Sequence, residues 1–232
     1  MRRSPRMQRV VLGGPELDGF TVDGPASSIR VLLPQADGTL EMPEWNGNEF
    51  VGRDGARALI RTFTPLLVDT ERRELAIDVV LHGDGPAARW AADTAIGDAV
   101  AISGPGRYDR LDEGATSYLL GGDETAIPAI GQLLEALPAT TAVDVRIELA
   151  RPDARLELPE HPLGRITWLD AEPLAAPGDA LVTSVERIDE LPPAIWLAGE
   201  AAAIQRLRRH LFDVRGLSRA AVTARGYWKH SR

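Results

Sequence analysis

The sequence predicts two architectures in succession: an antiparallel β-barrel over residues 1–112, then an α/β nucleotide-binding-type domain with a parallel sheet over residues 113–232. Three observations predict it. The first half carries short β-rich runs separated by clusters of Gly, Pro and Asp, the residues that punctuate turns. After about Asp112 the rhythm changes to strands alternating with helices, which indicates a parallel sheet with helices on its faces. A chain of 232 residues also has room for two domains of about 100 residues each.

Taken in order, strands are predicted over 28–34, 58–64, 74–82 and 99–104, at a spacing that suits a small antiparallel barrel. The stretch from Gln35 to Ala56 is polar and Gly-rich and reads as a long loop. Pro86–Thr94 has helical character, which sets a helix N-terminus beside Gly85. In the second half, strands are predicted over 117–121, 143–149, 165–169 and 194–198, and helices over 124–137, 179–189 and 200–214.

Composition excludes several classes of function. Cysteine is absent, which removes disulfides, zinc–thiolate sites and Cys-ligated iron–sulfur clusters together. The four histidines (82, 161, 210 and 230) have no metal-motif spacing, so no metal site is predicted. There is no Walker A loop and no GxSxG elbow. A net charge of −8 argues against nucleic-acid binding. No apolar run reaches membrane-spanning length, and the basic start Met1-Arg2-Arg3 leads into no apolar signal core, so a cytoplasmic protein without a membrane partner is expected. The basic residues are 25 arginines and one lysine, Lys229.

Arg61-Thr62-Phe63-Thr64 combines on one strand what a flavin requires. Side chains at i and i+2 share a face, so Arg61 can meet a phosphate while Phe63 lies against an isoalloxazine ring. Thr64 stands at the strand end, within reach of the ring edge. The bland alternatives are a surface ion pair for Arg61 and an ordinary core aromatic for Phe63. Further on, His82-Gly83-Asp84-Gly85-Pro86-Ala87-Ala88-Arg89-Trp90 offers small residues at a helix N-terminus, where backbone N–H groups and the helix dipole favour an anion. His82 is as readily structural as functional, and Trp90 reads as packing. Asp123-Glu124-Thr125 and Gly199-Glu200 each follow a predicted strand and open a helix, the place where α/β folds bind ligands. Glu200 either caps its helix or positions a ligand. Arg151 follows the second strand of this domain, where a basic residue selects NADPH and an acidic one NADH; Asp153 lies two residues on.

Five segments in this order, RTFT (61–64), HGDGPAARWA (82–91), GGDETAIPAI (121–130), WLAGEA (196–201) and RGYWK (225–229), make the chain resemble the siderophore-interacting proteins. These are FAD-dependent ferric-siderophore reductases of the ferredoxin-reductase-like superfamily. The resemblance implies FAD held by residues 61–64, His82 and Gly85–Ala88, with Tyr227 and Trp228 flanking the flavin. It implies a nicotinamide nucleotide, NADPH in preference to NADH, at Asp123, Glu124, Thr125, Arg151, Gly199 and Glu200. Lys229 and His230 would stand at the mouth and attract an anionic ferric siderophore. No protein group acts as nucleophile: a hydride passes to FAD and electrons pass on to Fe(III), which siderophores hold far better than Fe(II).

The chain departs from the family pattern at Phe63 (usually Tyr), Ala88 (often Ser) and Leu66 (often Arg). A general NAD(P)H:acceptor flavin reductase and a non-catalytic flavin- or siderophore-binding protein therefore stay open beside the reductase. A monomer is favoured. Only eight residues precede the segment matching Arg9–Pro15, so the first barrel strand is expected to be short or missing, leaving an exposed edge.

Overall fold

The computed structural model describes residues 1–35, 37–82, 85–112 and 114–230. Gly83 and Asp84 of the small-residue segment, and the expected boundary residue Glu113, lie outside the described residues. The chain divides into two compact units, Met1–Asp23 with Ser27–Tyr108, and Gly24–Ala26 with Asp109–Arg232.

The first unit is antiparallel throughout. Its strands are β1 (Arg2–Ser4), β2 (Met7–Gly13), β3 (Ile29–Leu32), β4 (Glu44–Trp45), β5 (Phe50–Val51), β6 (Ile60–Phe63), β7 (Leu66–Asp69), β8 (Glu74–Val80) and β9 (Ala101–Ser103), with a 3-10 turn at Pro15–Leu17 and the α-helix α1 (Pro86–Asp93). They form sheets of order β1-β2-β8-β7 and β6-β3-β9, plus the hairpin β4-β5. Alternation sets the core. Leu75, Ile77 and Val79 of β8 pack with Ile29, Val31 and Leu33 from the β3 segment and with Ala91 of α1. Asp78, between two of these core residues, meets Arg9 directly across the β2–β8 pair in a bidentate ion pair with both contacts at 2.7 Å. The strand before the Arg9–Pro15 segment is three residues long and forms the edge of its sheet. The stretch expected as a long loop contains the β4–β5 hairpin, because Asn46 takes the turn and its Oδ1 accepts from the N–H groups of Asn48 and Glu49, each at 2.9 Å.

The second unit holds β10 (Ser117–Asp123), α2 (Ile127–Ala136), β11 (Ala142–Leu149), β12 (Gly164–Asp170), α3 (Asp179–Glu186), β13 (Ala194–Glu200), α4 (Ala201–Arg209) and β14 (Val222–Trp228). All five strands are parallel, in the order β12-β11-β10-β13-β14. Every residue of β13 is buried, as befits a strand with neighbours on both sides and cover on both faces. Leu119, Ile195 and Leu197 share one core with Leu181, Val182 and Val185 of α3 and Ile204 and Leu207 of α4. Two helix predictions shift. Glu124–Ala126 is a single tight turn before α2, and α4 gives way at His210–Val214 to a wider π-type turn. The C-terminal segment, predicted only as a tail, is the edge strand β14.

Candidate cofactor and nucleotide sites

In the first unit, pairing of β3 with β6 sets Arg61 opposite Val31 and Phe63 opposite Ile29. Directly paired residues share a face, so Arg61 and Phe63 lie on the side of β6 that carries the core. Phe63 is half-buried and packs against that core, so the bland reading of this ring holds for part of its surface. Arg61 is also half-buried. Its Nη1 donates to the carbonyl of Ile60 at 2.9 Å, and among the described residues it has no ion-pair partner. A half-buried guanidinium with four remaining donors and no carboxylate suits an anionic ligand. Thr62 is exposed, opposite Arg30, and Thr64 is buried immediately after the strand.

α1 begins where the sequence sets it. Gly85 is the N-cap residue with no side-chain cap, Pro86 takes the first position, and Arg89 N–H closes the first turn on the Gly85 carbonyl at 3.0 Å. The first-turn amides of Ala87 and Ala88 thus have no intrahelical partner and, among the described residues, no side-chain cap from Gly85. Among the described residues a Cβ built on Gly85 would meet nothing within 4 Å. The Ala87 and Trp90 side chains pack on the same core as Phe63, Ala88 is buried, and Trp90 Nε1 is buried without a partner among the described residues. His82 is half-buried, two residues beyond β8. The N-terminus of α1 and the Arg61–Phe63 face are therefore built on one core, and the residues present fit a flavin diphosphate.

In the second unit, the strand order reverses between β10 and β13, and their carboxyl ends form the switch point where open α/β sheets bind ligands. Asp123 occupies it. Its Oδ1 accepts from the N–H of Thr125 at 2.9 Å and from the Thr125 hydroxyl at 2.5 Å; its Oδ2 accepts from Glu200 N–H at 2.8 Å and from Trp228 Nε1 at 2.7 Å. Removal from water pushes the Asp123 carboxyl above the usual carboxylate range, against the pull of these four bonds. Gly199 makes the approach possible: with φ +156°, a Cβ there would stand 2.6 Å from Asp123 Oδ2.

The neighbouring carboxylates are committed in the same way. Glu200 Oε2 accepts from the N–H groups of Ala202 and Ala203 at 2.6 and 2.9 Å, capping α4, and its Oε1 accepts from His230 N–H at 3.2 Å. Glu124 is buried and accepts from Ala150 N–H at 2.9 Å at the end of β11. Arg151 is exposed and pairs with Asp153 at 2.8 Å. Of the closing segment, Tyr227 is half-buried with its ring edge-on to Trp196, centroids 6.3 Å apart, while Lys229 and His230 are exposed.

Two residues went unnoticed in the sequence. Glu148, buried in β11, accepts from Gly178 N–H at 2.6 Å and Leu181 N–H at 2.9 Å and so caps α3 from a distant strand; burial, with a contribution from the Asp123 charge, pushes its carboxyl up. Asp109 is buried and accepts from Trp196 Nε1 at 2.7 Å and from Arg225 in a two-point ion pair, which holds the Arg225 guanidinium above its ordinary pKa. Local pattern carries no signal for either. Among the described residues no group of three His, Cys, Asp or Glu side chains is arranged to hold a metal, and no helix is long and apolar enough to cross a membrane.

The chain matches known proteins over nearly its whole length. The family model described as a siderophore-interacting FAD-binding domain matches residues 1–109, and that described as a siderophore-interacting protein matches residues 115–231. The NADPH-dependent ferric-chelate reductase of Escherichia coli is 31% identical over 98% of this chain and 89% of its own length. The ferric vibriobactin reductase of Vibrio cholerae is 29% identical over 99% of this chain and 86% of its own. The crystal structure of a siderophore utilization protein from T. fusca superposes with a TM-score of 0.83 at 32% identity, covering 100% of this chain and 90% of that one.

Proposed function

The chain belongs to the siderophore-interacting protein family, and on that footing we propose that it is an FAD-dependent NAD(P)H:ferric-siderophore reductase acting in the cytoplasm to release iron. The observation that carries the reading is Arg61, a half-buried cation without a carboxylate partner among the described residues, beside Phe63 on one face of β6. In this reading Arg61 and the Ala87 and Ala88 amides hold the FAD diphosphate, and Phe63 supports the ring. The exposed Lys229 and His230 draw in an anionic ferric chelate. Bound FAD supplies the change from a two-electron hydride donor to a one-electron ferric acceptor. The chain itself orients both reactants and shapes the electrostatics around them. The two reductases among the relatives support the assignment.

The nicotinamide side takes a particular form. Asp123, Glu148 and Glu200 already fill the turn and helix N-termini at the carboxyl edge of the sheet. A dinucleotide pyrophosphate would therefore be held by the Thr125 region and by cationic side chains such as Arg151, rather than by a free helix terminus. That same closure favours a second reading, a flavin- or siderophore-binding protein that accepts no hydride from NAD(P)H.

One experiment separates the readings. FAD-loaded protein is mixed anaerobically with NADPH or NADH, then with a ferric siderophore or a quinone. Bleaching of the flavin by NADPH and its recovery on adding ferric siderophore is expected. Flavin that binds but is not bleached selects the second reading, recovery only with quinones selects a general flavin reductase, and a folded protein that retains no FAD overturns the flavin assignment.

A further inference from the structure

The excursion between β3 and β6 presents an aromatic pair to solvent. Trp45 is 58% exposed and meets the Phe50 ring edge-to-face, with centroids 5.1 Å apart and planes at 61°. A large exposed indole on a short hairpin makes no contribution to a core, yet the hairpin that carries it is firmly built. Phe50 carbonyl accepts from Ala58 N–H at 2.9 Å, Val51 bridges Arg57, Gly52 N–H donates to the Ala56 carbonyl at 2.9 Å, and Glu49 pairs with Arg57 at 3.1 Å. The hairpin is thus fastened to the chain that leads straight into β6. From Ala58 to Arg61 is three residues, about 10 Å of extended chain.

We propose that Trp45, backed by Phe50, is the platform on which the adenine of FAD stacks. This rests on the reading of Arg61 and Phe63 given above. That reading gives β6 a polarity: the flavin ring lies at Phe63 toward the C-terminal end of the strand, and the diphosphate lies at Arg61. The adenosine half must then leave toward the N-terminal end, where the hairpin is fastened. Charge points to the same part of the ligand. The arginines of this segment, Arg53 and Arg57, are committed to Glu41 and Glu49, and Glu44 adds a negative charge, so its surface does not draw in a phosphate and suits an uncharged base. A purine offers a π-face to an indole whatever its substituents, and Trp45 keeps 58% of its surface exposed beside Phe50.

The test compares FAD with FMN, which has the same ring and a phosphate but no adenosine. Dissociation constants for both are measured by flavin fluorescence for the wild type, Trp45→Ala and Trp45→Phe, with far-UV circular dichroism as a check on folding. Trp45→Ala is expected to weaken FAD roughly tenfold and to leave FMN within about twofold, while Trp45→Phe retains most of the FAD affinity. Unchanged FAD affinity in Trp45→Ala, or an equal loss for FMN, overturns the platform alone. A wild type that binds neither flavin overturns the reading of Arg61 and the platform with it.

Discussion

The indole Nε1 of Trp228 donates to Asp123 Oδ2 over 2.7 Å, joining the last residue of the edge strand β14 to the last residue of the first strand of the sheet. The same oxygen accepts Glu200 N–H at 2.8 Å, so one carboxylate gathers the ends of three strands at the switch point. Asp123→Asn keeps the shape but presents either an NH2 or a single oxygen to donors on both sides. At least one buried donor then loses its acceptor, at roughly 1–3 kcal/mol per group. We expect Asp123→Asn to destabilise the fold by about 2–4 kcal/mol, and Trp228→Phe, which removes one bond and leaves Asp123 its other three, by about 1 kcal/mol. Urea denaturation followed by circular dichroism checks both. Equal losses in the two variants would place the whole contribution of Asp123 in its bond to the edge strand and overturn the shared role of the carboxylate.

The same carboxylate, with Glu148, predicts a slope of stability with pH. Burial raises both carboxyls in the folded state, so between the ordinary carboxylate range and the raised values the folded protein binds more protons than the unfolded chain. Stability from these groups is complete below the ordinary carboxylate range and declines as pH rises through the raised values. Glu148→Gln is expected to flatten that decline while costing some stability at every pH through its α3 cap. A series of urea midpoints from acid to neutral pH measures it, and an unaltered slope in Glu148→Gln removes Glu148 from the account.

Much of this site was legible in the chain and some was not, and the division follows sequence separation. The strands β10, β11, β12 and β13 show as β-rich runs, and Glu200 stands directly before the helix it caps, so both could be read locally. Glu148 caps α3 from thirty residues upstream, and Arg225 meets Asp109 across 116 residues. No local pattern encodes either partnership. β14 was missed for the same reason: its neighbour is β13, and Gly226 interrupts the alternation that marks a strand. The two-residue strands of the β4–β5 hairpin are too short for periodicity to register.

Glu200 offers a local test. Its Oε2 accepts two first-turn amides of α4, and α4 ends in Arg206, Arg208 and Arg209, which complement the opposite end of the helix dipole. Glu200→Ala removes the cap and leaves the His230 amide without an acceptor, for an expected loss of about 1–2 kcal/mol. Glu200→Gln keeps an acceptor oxygen and should lose less than half as much. Chemical denaturation of the two variants checks the ratio; a Gln variant as unstable as Ala would mean that the charge, not the cap, is what stabilises α4.

Arg151 bears on the choice of nicotinamide. It is exposed at the end of β11 with Asp153 at 2.8 Å, so its guanidinium is positioned but shared. If NADPH is the donor, Arg151→Ala should weaken NADPH by about tenfold with little change for NADH, and Asp153→Ala, which releases the guanidinium, should improve NADPH. Rates of flavin bleaching at limiting nucleotide report both. An equal effect of Arg151→Ala on the two nucleotides would assign the residue to the pyrophosphate or to neither.

Arg61 decides the flavin assignment most directly. It lies on the core face of β6 with one hydrogen bond, to the Ile60 carbonyl at 2.9 Å, and no ion pair among the described residues. Removing it should therefore relieve rather than strain the apoprotein: Arg61→Ala is expected to change apoprotein stability by less than about 1 kcal/mol, because no charge partner is left behind. FAD affinity should fall about 10- to 100-fold, the range for one charge-assisted contact to a phosphate. Arg61→Lys should recover only part of the loss, since a point charge cannot make a planar two-point contact. Calorimetric titration with FAD, beside denaturation of the apoprotein, measures both quantities. The informative outcome is the contrast between them: a large loss of stability with unchanged FAD affinity would make Arg61 a structural residue of the barrel strand and move the diphosphate elsewhere on the domain.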